Sequence, residues 1–163
     1  MAQTTIIANG IVLTCDPMNR CGRYNILVSN GRILSIFENL DLLTKEYPDA
    51  TIIDAKDKLI VPGFVNAHYH GESFLLRALT KGVHFGLWEE GAQLKQARDK
   101  LLHSSSYDDV RRIYLAASLA HLRSGTTCVG EFPPLLGEDG FVQMLDAIAS
   151  TGMLGVVALQ NWD

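Results

Sequence analysis

The chain has 163 residues, of which 47% are apolar and 20% charged, and its formal net charge is −4. That length suits one domain, or a small domain joined to part of another, and the apolar content excludes intrinsic disorder, which needs low hydrophobicity with a strong net charge. No basic surplus exists to displace counterions from nucleic acid, and no apolar run nears the roughly 20 residues that cross a bilayer.

The N-terminal Met1-Ala2-Gln3-Thr4-Thr5 has no basic segment followed by an apolar one, as a secretory leader would. Cys15, Cys21 and Cys128 form no Cys-x-x-Cys pair, which argues against a disulfide framework or a thiolate zinc knuckle. The expectation is a cytoplasmic protein with no nucleic-acid or membrane partner.

The first sixty residues read as β-structure. Thr5–Ala8 and Ile11–Thr14 are β-branched runs separated by Asn9-Gly10, and Tyr24–Val28 and Arg32–Ile36 are separated by Asn30-Gly31. Asn-Gly tolerates positive φ, so both pairs predict antiparallel hairpins. A polar stretch over 38–49 leads to a strand at Thr51–Ile53, a charged turn over 54–58, and Leu59-Ile60-Val61 ahead of the breaker Pro62-Gly63.

The texture then changes. Phe64–Ala67 predicts a short buried strand. A long connection over 71–105 carries an apolar patch and a helix near Trp88–Leu102. Ser106-Tyr107-Asp108-Asp109 has the form of a capping box, predicting a helix that runs to about Arg123 with Gly125 as its C-terminal cap. Strand-like Thr126–Gly130 follows. Phe141, Met144, Leu145 and Ile148 recur at helical spacing, Gly152 is a second cap, and Leu154–Leu159 is a third buried strand. Strands alternating with helices predict a parallel sheet with crossover helices.

The chemistry centres on His68-Tyr69-His70, at the end of the first strand of this second part. Residues i and i+2 of a strand project from one face. Two imidazoles placed so can converge on one metal ion, and the C-terminal strand ends of a parallel barrel form its catalytic face. The tripeptide alone is a weak signal; its position strengthens it.

The segment Val61-Pro62-Gly63-Phe64-Val65-Asn66-Ala67-His68-Tyr69-His70 resembles the Pro-Gly-apolar-apolar-Asn/Asp-x-His-x-His signature of the amidohydrolase superfamily. Leu75-Leu76-Arg77, Trp88 and Ser124–Val129 are similar to its cytosine deaminase, guanine deaminase and chlorohydrolase branch. The resemblance implies an α/β chain. Residues 1–62 would form part of a small antiparallel β-sandwich-like domain, and residues 63–163 the first three strands of an incomplete (β/α)8 barrel. It implies His68 and His70 as ligands of a divalent metal, zinc first and iron as the alternative, that activates water. The implied reaction is hydrolytic deamination, or related C–N or C–Cl hydrolysis, of a nitrogen-containing, heterocyclic small molecule.

A complete barrel takes about 250 residues and eight strands. The family's further histidines and its water-activating aspartate would lie on strands outside this chain. The implied partners are then a second chain or C-terminal remainder that completes the barrel, or further copies of this chain in a homo-oligomer. A catalytically inactive module serving oligomerisation or regulation is the alternative reading.

Other donors are weaker candidates. Glu72, two residues past His70, His84 in the long connection and Glu131 at the end of the second strand are candidate substrate contacts. His103 and His121 fall near helix C-termini, where a cation interacts favourably with the helix dipole.

Overall fold

The computed structural model describes residues 4–84, 95–97, 100, 106–134 and 136–158. The chain divides into two compact units, Met1–Pro62 and Gly63–Asp163. Each is described by itself.

The first unit comprises β1 (Thr4–Leu13), β2 (Cys21–Ser29), β3 (Arg32–Phe37), helix α1 (Leu40–Glu46), β4 (Thr51–Asp54) and β5 (Leu59–Ile60). They form one sheet in the order β3-β2-β1-β4, with β5 also against β1. The β1–β2 and β2–β3 pairs are antiparallel, whereas β4 and β5 run parallel to β1. An antiparallel sandwich-like domain was the expectation; the described residues show a single mixed sheet. The difference lies in 38–49, which form a crossover helix rather than a plain polar loop. Asn39 caps α1 by accepting from the Asp41 and Leu42 amides, and the helix carries the chain back so that β4 runs alongside β1. Leu43 is buried against Ile6, Ala8 and Leu27.

The two Asn-Gly pairs behave differently. Asn30 (φ 51°) and Gly31 (φ 72°) make the predicted hairpin turn between β2 and β3. Asn9-Gly10 makes no turn. The strand β1 runs straight through it, with Ile7 opposite Ile26 and Gly10 opposite Tyr24, so one extra residue is accommodated as a bulge. Asn9 (φ 67°) supplies the positive φ. Its amide donates to Asn25 Oδ1 at 3.0 Å and its Nδ2 to Asp54 Oδ1 at 2.9 Å. A bulge and a tight turn ask for the same backbone conformation, so the dipeptide does not distinguish them.

The second unit comprises β6 (Phe64–Tyr69), a 3-10 turn (Gly71–Leu76), α2 (Arg77–Thr80), α3 (Tyr107–Arg123), β7 (Thr126–Glu131), α4 (Gly137–Ser150) and β8 (Leu154–Val157). The sheet is parallel in the order β6-β7-β8, as the alternation of strands and helices predicts. The capping box is complete: Ser106 Oγ accepts from the Asp109 amide at 3.2 Å, and Asp109 Oδ2 accepts from the Ser106 amide at 3.1 Å. Gly125 (φ 86°) and Gly152 (φ 76°) end the two long helices in the left-handed region. The helix expected near Trp88–Leu102 falls largely outside the described residues, with 95–97 and 100 helical; His103 also lies outside them.

One face of this sheet is covered. Val110 and Tyr114 of α3, Val129 of β7, and Met144, Ala147 and Ile148 of α4 form the core. On the other face Val65 is 67% exposed, Leu154 70% and Val156 72%. A parallel sheet is ordinarily covered on both faces.

Candidate metal centre

The register of β6 against β7 decides where its side chains point. Asn66 sits opposite Val129 and Tyr69 opposite Glu131, so three steps along β6 match two along β7. This one-residue bulge reverses the alternation. Before it, Asn66 faces the helices, where its Nδ2 is 3.2 Å from His121 Nε2. After it, Tyr69 faces them too, its ring edge-on to His121 with centroids 4.2 Å apart. His68 and His70 turn the other way. Gly130 makes room for the bulge, because a Cβ there would collide with the Ala67 carbonyl.

The two imidazoles meet. His68 Nε2 lies 3.2 Å from His70 Nε2, with ring planes at 77°. His70 Nδ1 lies 2.7 Å from the Phe132 carbonyl oxygen. A carbonyl only accepts, so Nδ1 carries the proton and Nε2 of the neutral ring presents its lone pair. Metal-binding histidines have this arrangement, one nitrogen donating to a fixed acceptor and the other free to ligate. The His68 ring stacks on Phe132, with centroids 4.5 Å apart and planes at 23°. Phe132 thus fixes one ring through its backbone and the other through its side chain.

The pair fits a divalent cation. Two imidazole nitrogens, each at about 2.0–2.1 Å from a tetrahedral zinc, stand about 3.3 Å apart, close to the spacing found. No group of three or more His, Cys, Asp or Glu side chains is arranged to hold a metal among the described residues. The two histidines are half of a site of the usual denticity.

The two carboxylates fall behind this pair. Glu72 is 5% exposed and Glu131 1%. Glu131 Oε1 accepts from the Gly71 amide at 2.9 Å, and Tyr114 Oη donates to Glu72 Oε2 at 3.4 Å. Glu72 Oε1 lies 4.0 Å from His70 Nδ1. Burial pushes the Glu131 carboxyl up to about 8. The Gly71 N–H opposes that rise and the neighbouring Glu72 adds to it. Burial, then the two carboxylates, raises the Tyr114 phenol well above its ordinary value. Gly71 is confined by the same cluster, since a Cβ there would strike the Tyr114 ring.

Two further histidines, His84 and His121, lie among the described residues. His84 is exposed just past α2. His121 lies in the last turn of α3, as expected, with its ring turned inward, Nδ1 donating to the Ala117 carbonyl at 3.1 Å and Nε2 accepting from Asn66. It borders a cavity of about 370 Å³ lined also by Tyr69, His70, Ser73, Phe74 and Arg77. Phe132, Tyr114 and the Asn66–His121 contact surround the pair in ways that residue patterns did not reveal. Only Asn66 carried a signal, as part of the ten-residue signature.

No family model matches the chain. It is 30% identical over 157 residues to the 5'-deoxyadenosine deaminase of Methanosarcina mazei, a match covering 96% of this chain and 34% of that protein. Among solved structures it is similar to the guanine deaminase of C. acetobutylicum (TM-score 0.74, 20% identity, 95% of this chain and 36% of that one). It is also similar to a triazine hydrolase variant (TM-score 0.80, 21% identity, 96% and 35%). The chain spans about a third of the length of the curated relatives it matches. The solved structures establish the α/β fold. Along nearly its whole length the chain is thus similar to deaminases and amidohydrolases.

Proposed function

We propose that this chain supplies the first two ligands, His68 and His70, of a divalent-metal site in an enzyme that hydrolyses C–N bonds of nitrogen heterocycles, deaminating purine-like substrates. The observation that carries the reading is the convergence of the two Nε2 atoms at 3.2 Å with His70 Nδ1 already committed to Phe132. Its relatives' activities, 5'-deoxyadenosine deamination among them, support the substrate class.

A bound zinc, or iron in its place, would lower the pKa of a coordinated water to about 7 and polarise the carbon under attack. The chain's own residues hold and orient. Phe132 fixes both rings, so neither imidazole must be reoriented when the cation arrives. His70 Nδ1–H donates to the carbonyl and keeps Nε2 unprotonated. Glu72 Oε1 lies 4.0 Å from the same Nδ1.

Among the described residues no third ligand joins the pair, so in this reading the other ligands and the general acid for the departing amine come from polypeptide outside them. That polypeptide, continuous with the chain or a second subunit, would extend the three-stranded sheet into a barrel and cover Val65, Leu154 and Val156. The exposure of these three side chains also suits the second reading, an inactive module that self-associates through this face.

Ammonia release from 5'-deoxyadenosine and guanine, by protein containing this chain together with its complement, separates the readings. The enzyme reading expects turnover that a chelator abolishes, zinc restores, and His68→Ala with His70→Ala removes. Turnover unaffected by both changes would contradict it.

A further inference from the structure

The metal-site reading raises a physical question that the two histidines do not answer: what holds the bulge that turns them to one face. Alternation alone would put Asn66, His68 and His70 together. Instead Asn66 shares the helix side with Tyr69, and both touch His121. The carboxamide of Asn66 is used at both ends. Its Nδ2 donates to His121 Nε2 at 3.2 Å, and its Oδ1 accepts from the His68 amide at 3.3 Å. That second bond reaches into the bulge, fixing the peptide that begins the first imidazole-bearing residue. His121 is itself fixed, because Nδ1 donates to Ala117 O one turn back on α3. The acceptor nitrogen therefore faces β6, in the one tautomer able to receive Asn66 Nδ2–H. The contact runs from a rigid helix through one ring and one carboxamide to the backbone of His68.

We propose that Asn66 and His121 form a positioning pair for the two-histidine metal grip: His121 anchors the Asn66 carboxamide, which pins the bulge that brings His68 and His70 to a common cation. Neither residue touches the metal. The inference rests on the reading of His68 and His70 as ligands and goes beyond it by assigning roles to two residues that ligand spacing leaves out. Asp at position 66 keeps an acceptor for the His68 amide but offers no N–H to His121 Nε2. Leu, of similar size, serves neither.

The test is a cobalt(II) titration of the chain, followed by the visible absorption of the bound ion, for the native sequence, His68→Ala, Asn66→Leu, Asn66→Asp and His121→Phe. Far-UV circular dichroism and the denaturation midpoint of each variant accompany it. Loss of a partner that orients a ligand typically weakens metal binding 10- to 100-fold. The expected result is at least a tenfold loss for Asn66→Leu and His121→Phe in folded protein, with a smaller loss for Asn66→Asp, which keeps the acceptor for the His68 amide. Native-like affinity in folded Asn66→Leu overturns the proposal. Absence of cobalt binding by the native chain, or binding unchanged in His68→Ala, would defeat the ligand assignment instead, so the two failures are distinguishable. Should the Leu and Phe variants not fold, the ring nitrogen shifts of the native protein decide. The proposal requires His121 protonated at Nδ1 and bare at Nε2, and a ring protonated at Nε2 near neutral pH overturns it.

Discussion

Phe132 and His70 are joined by a 2.7 Å hydrogen bond from the imidazole Nδ1 to the backbone carbonyl that follows β7. Two strands that are neighbours in the sheet but 62 residues apart in sequence thereby fix one ring and its tautomer. Long-range proton–nitrogen correlation spectra of the metal-free chain should show His70 protonated at Nδ1, with Nε2 the acceptor of the pair. A His70 ring protonated only at Nε2 would break the link between this geometry and cation binding.

Gly130 gives a second expectation. A methyl group there meets the Ala67 carbonyl, backbone that no rotamer can move aside. Gly130→Ala should destabilise the second unit by about 1–3 kcal/mol, the usual cost of overpacking. It should also weaken metal binding, because the displaced peptide is the bulge itself. The urea midpoint reads the first effect and a cobalt titration the second. An unchanged midpoint would mean that the close approach of β6 and β7 is not required.

Glu131 makes stability depend on pH. Its carboxyl is raised to about 8 in the folded chain, above the ordinary carboxylate value, chiefly by burial. Between the two values the unfolded chain has released its proton while the folded chain retains it. Stability is therefore fully present below about pH 4.5 and falls as pH rises toward 8, by roughly 1 kcal/mol per pH unit at most. Glu131→Gln keeps an acceptor for the Gly71 amide and removes the titration. Denaturation of chelator-treated protein at pH 5 and pH 8 should show the variant losing less stability across that interval than the parent. Equal losses would refute the buried, protonated carboxyl.

The capping box of α3 offers a control far from the metal centre. Ser106→Ala removes the acceptor for the Asp109 amide, and should cost about 1 kcal/mol. Cobalt affinity should be unaffected. A change in affinity would show that the site responds to general loosening of the unit, and would weaken the specific roles given to Gly130 and Asn66.

Much of this architecture could be read from the residues because it is encoded locally. Ser106 and Asp109 specify a helix start within four positions, Gly125 and Gly152 its ends, and Asn30-Gly31 a turn, each through chemistry complete within a few residues. The first Asn-Gly pair misled because positive φ serves a bulge as well as a turn, and only the pairing of β1 with β2 and β4 selects between them. The crossover helix α1 was concealed in a polar stretch, since seven residues are too few for Leu40, Leu42 and Leu43 to display a helical period. At the site, His68 and His70 stood out by spacing and signature. Their orientation did not, because it depends on a bulge set by Gly130, 60 residues or more away, and on the Phe132 carbonyl, which any residue could provide. The placement of His121 in the last turn of α3 was legible, but its contact with Asn66, 55 residues distant, was not.

X-ray absorption at the zinc edge, on the chain loaded with one equivalent of zinc, addresses the shared grip of His68 and His70 most directly. The account predicts two imidazole nitrogens at about 2.0–2.1 Å, with the multiple-scattering signature of histidine, reduced to one in either His→Ala variant. A spectrum with no imidazole scattering, or one unchanged when both rings are removed, would contradict it.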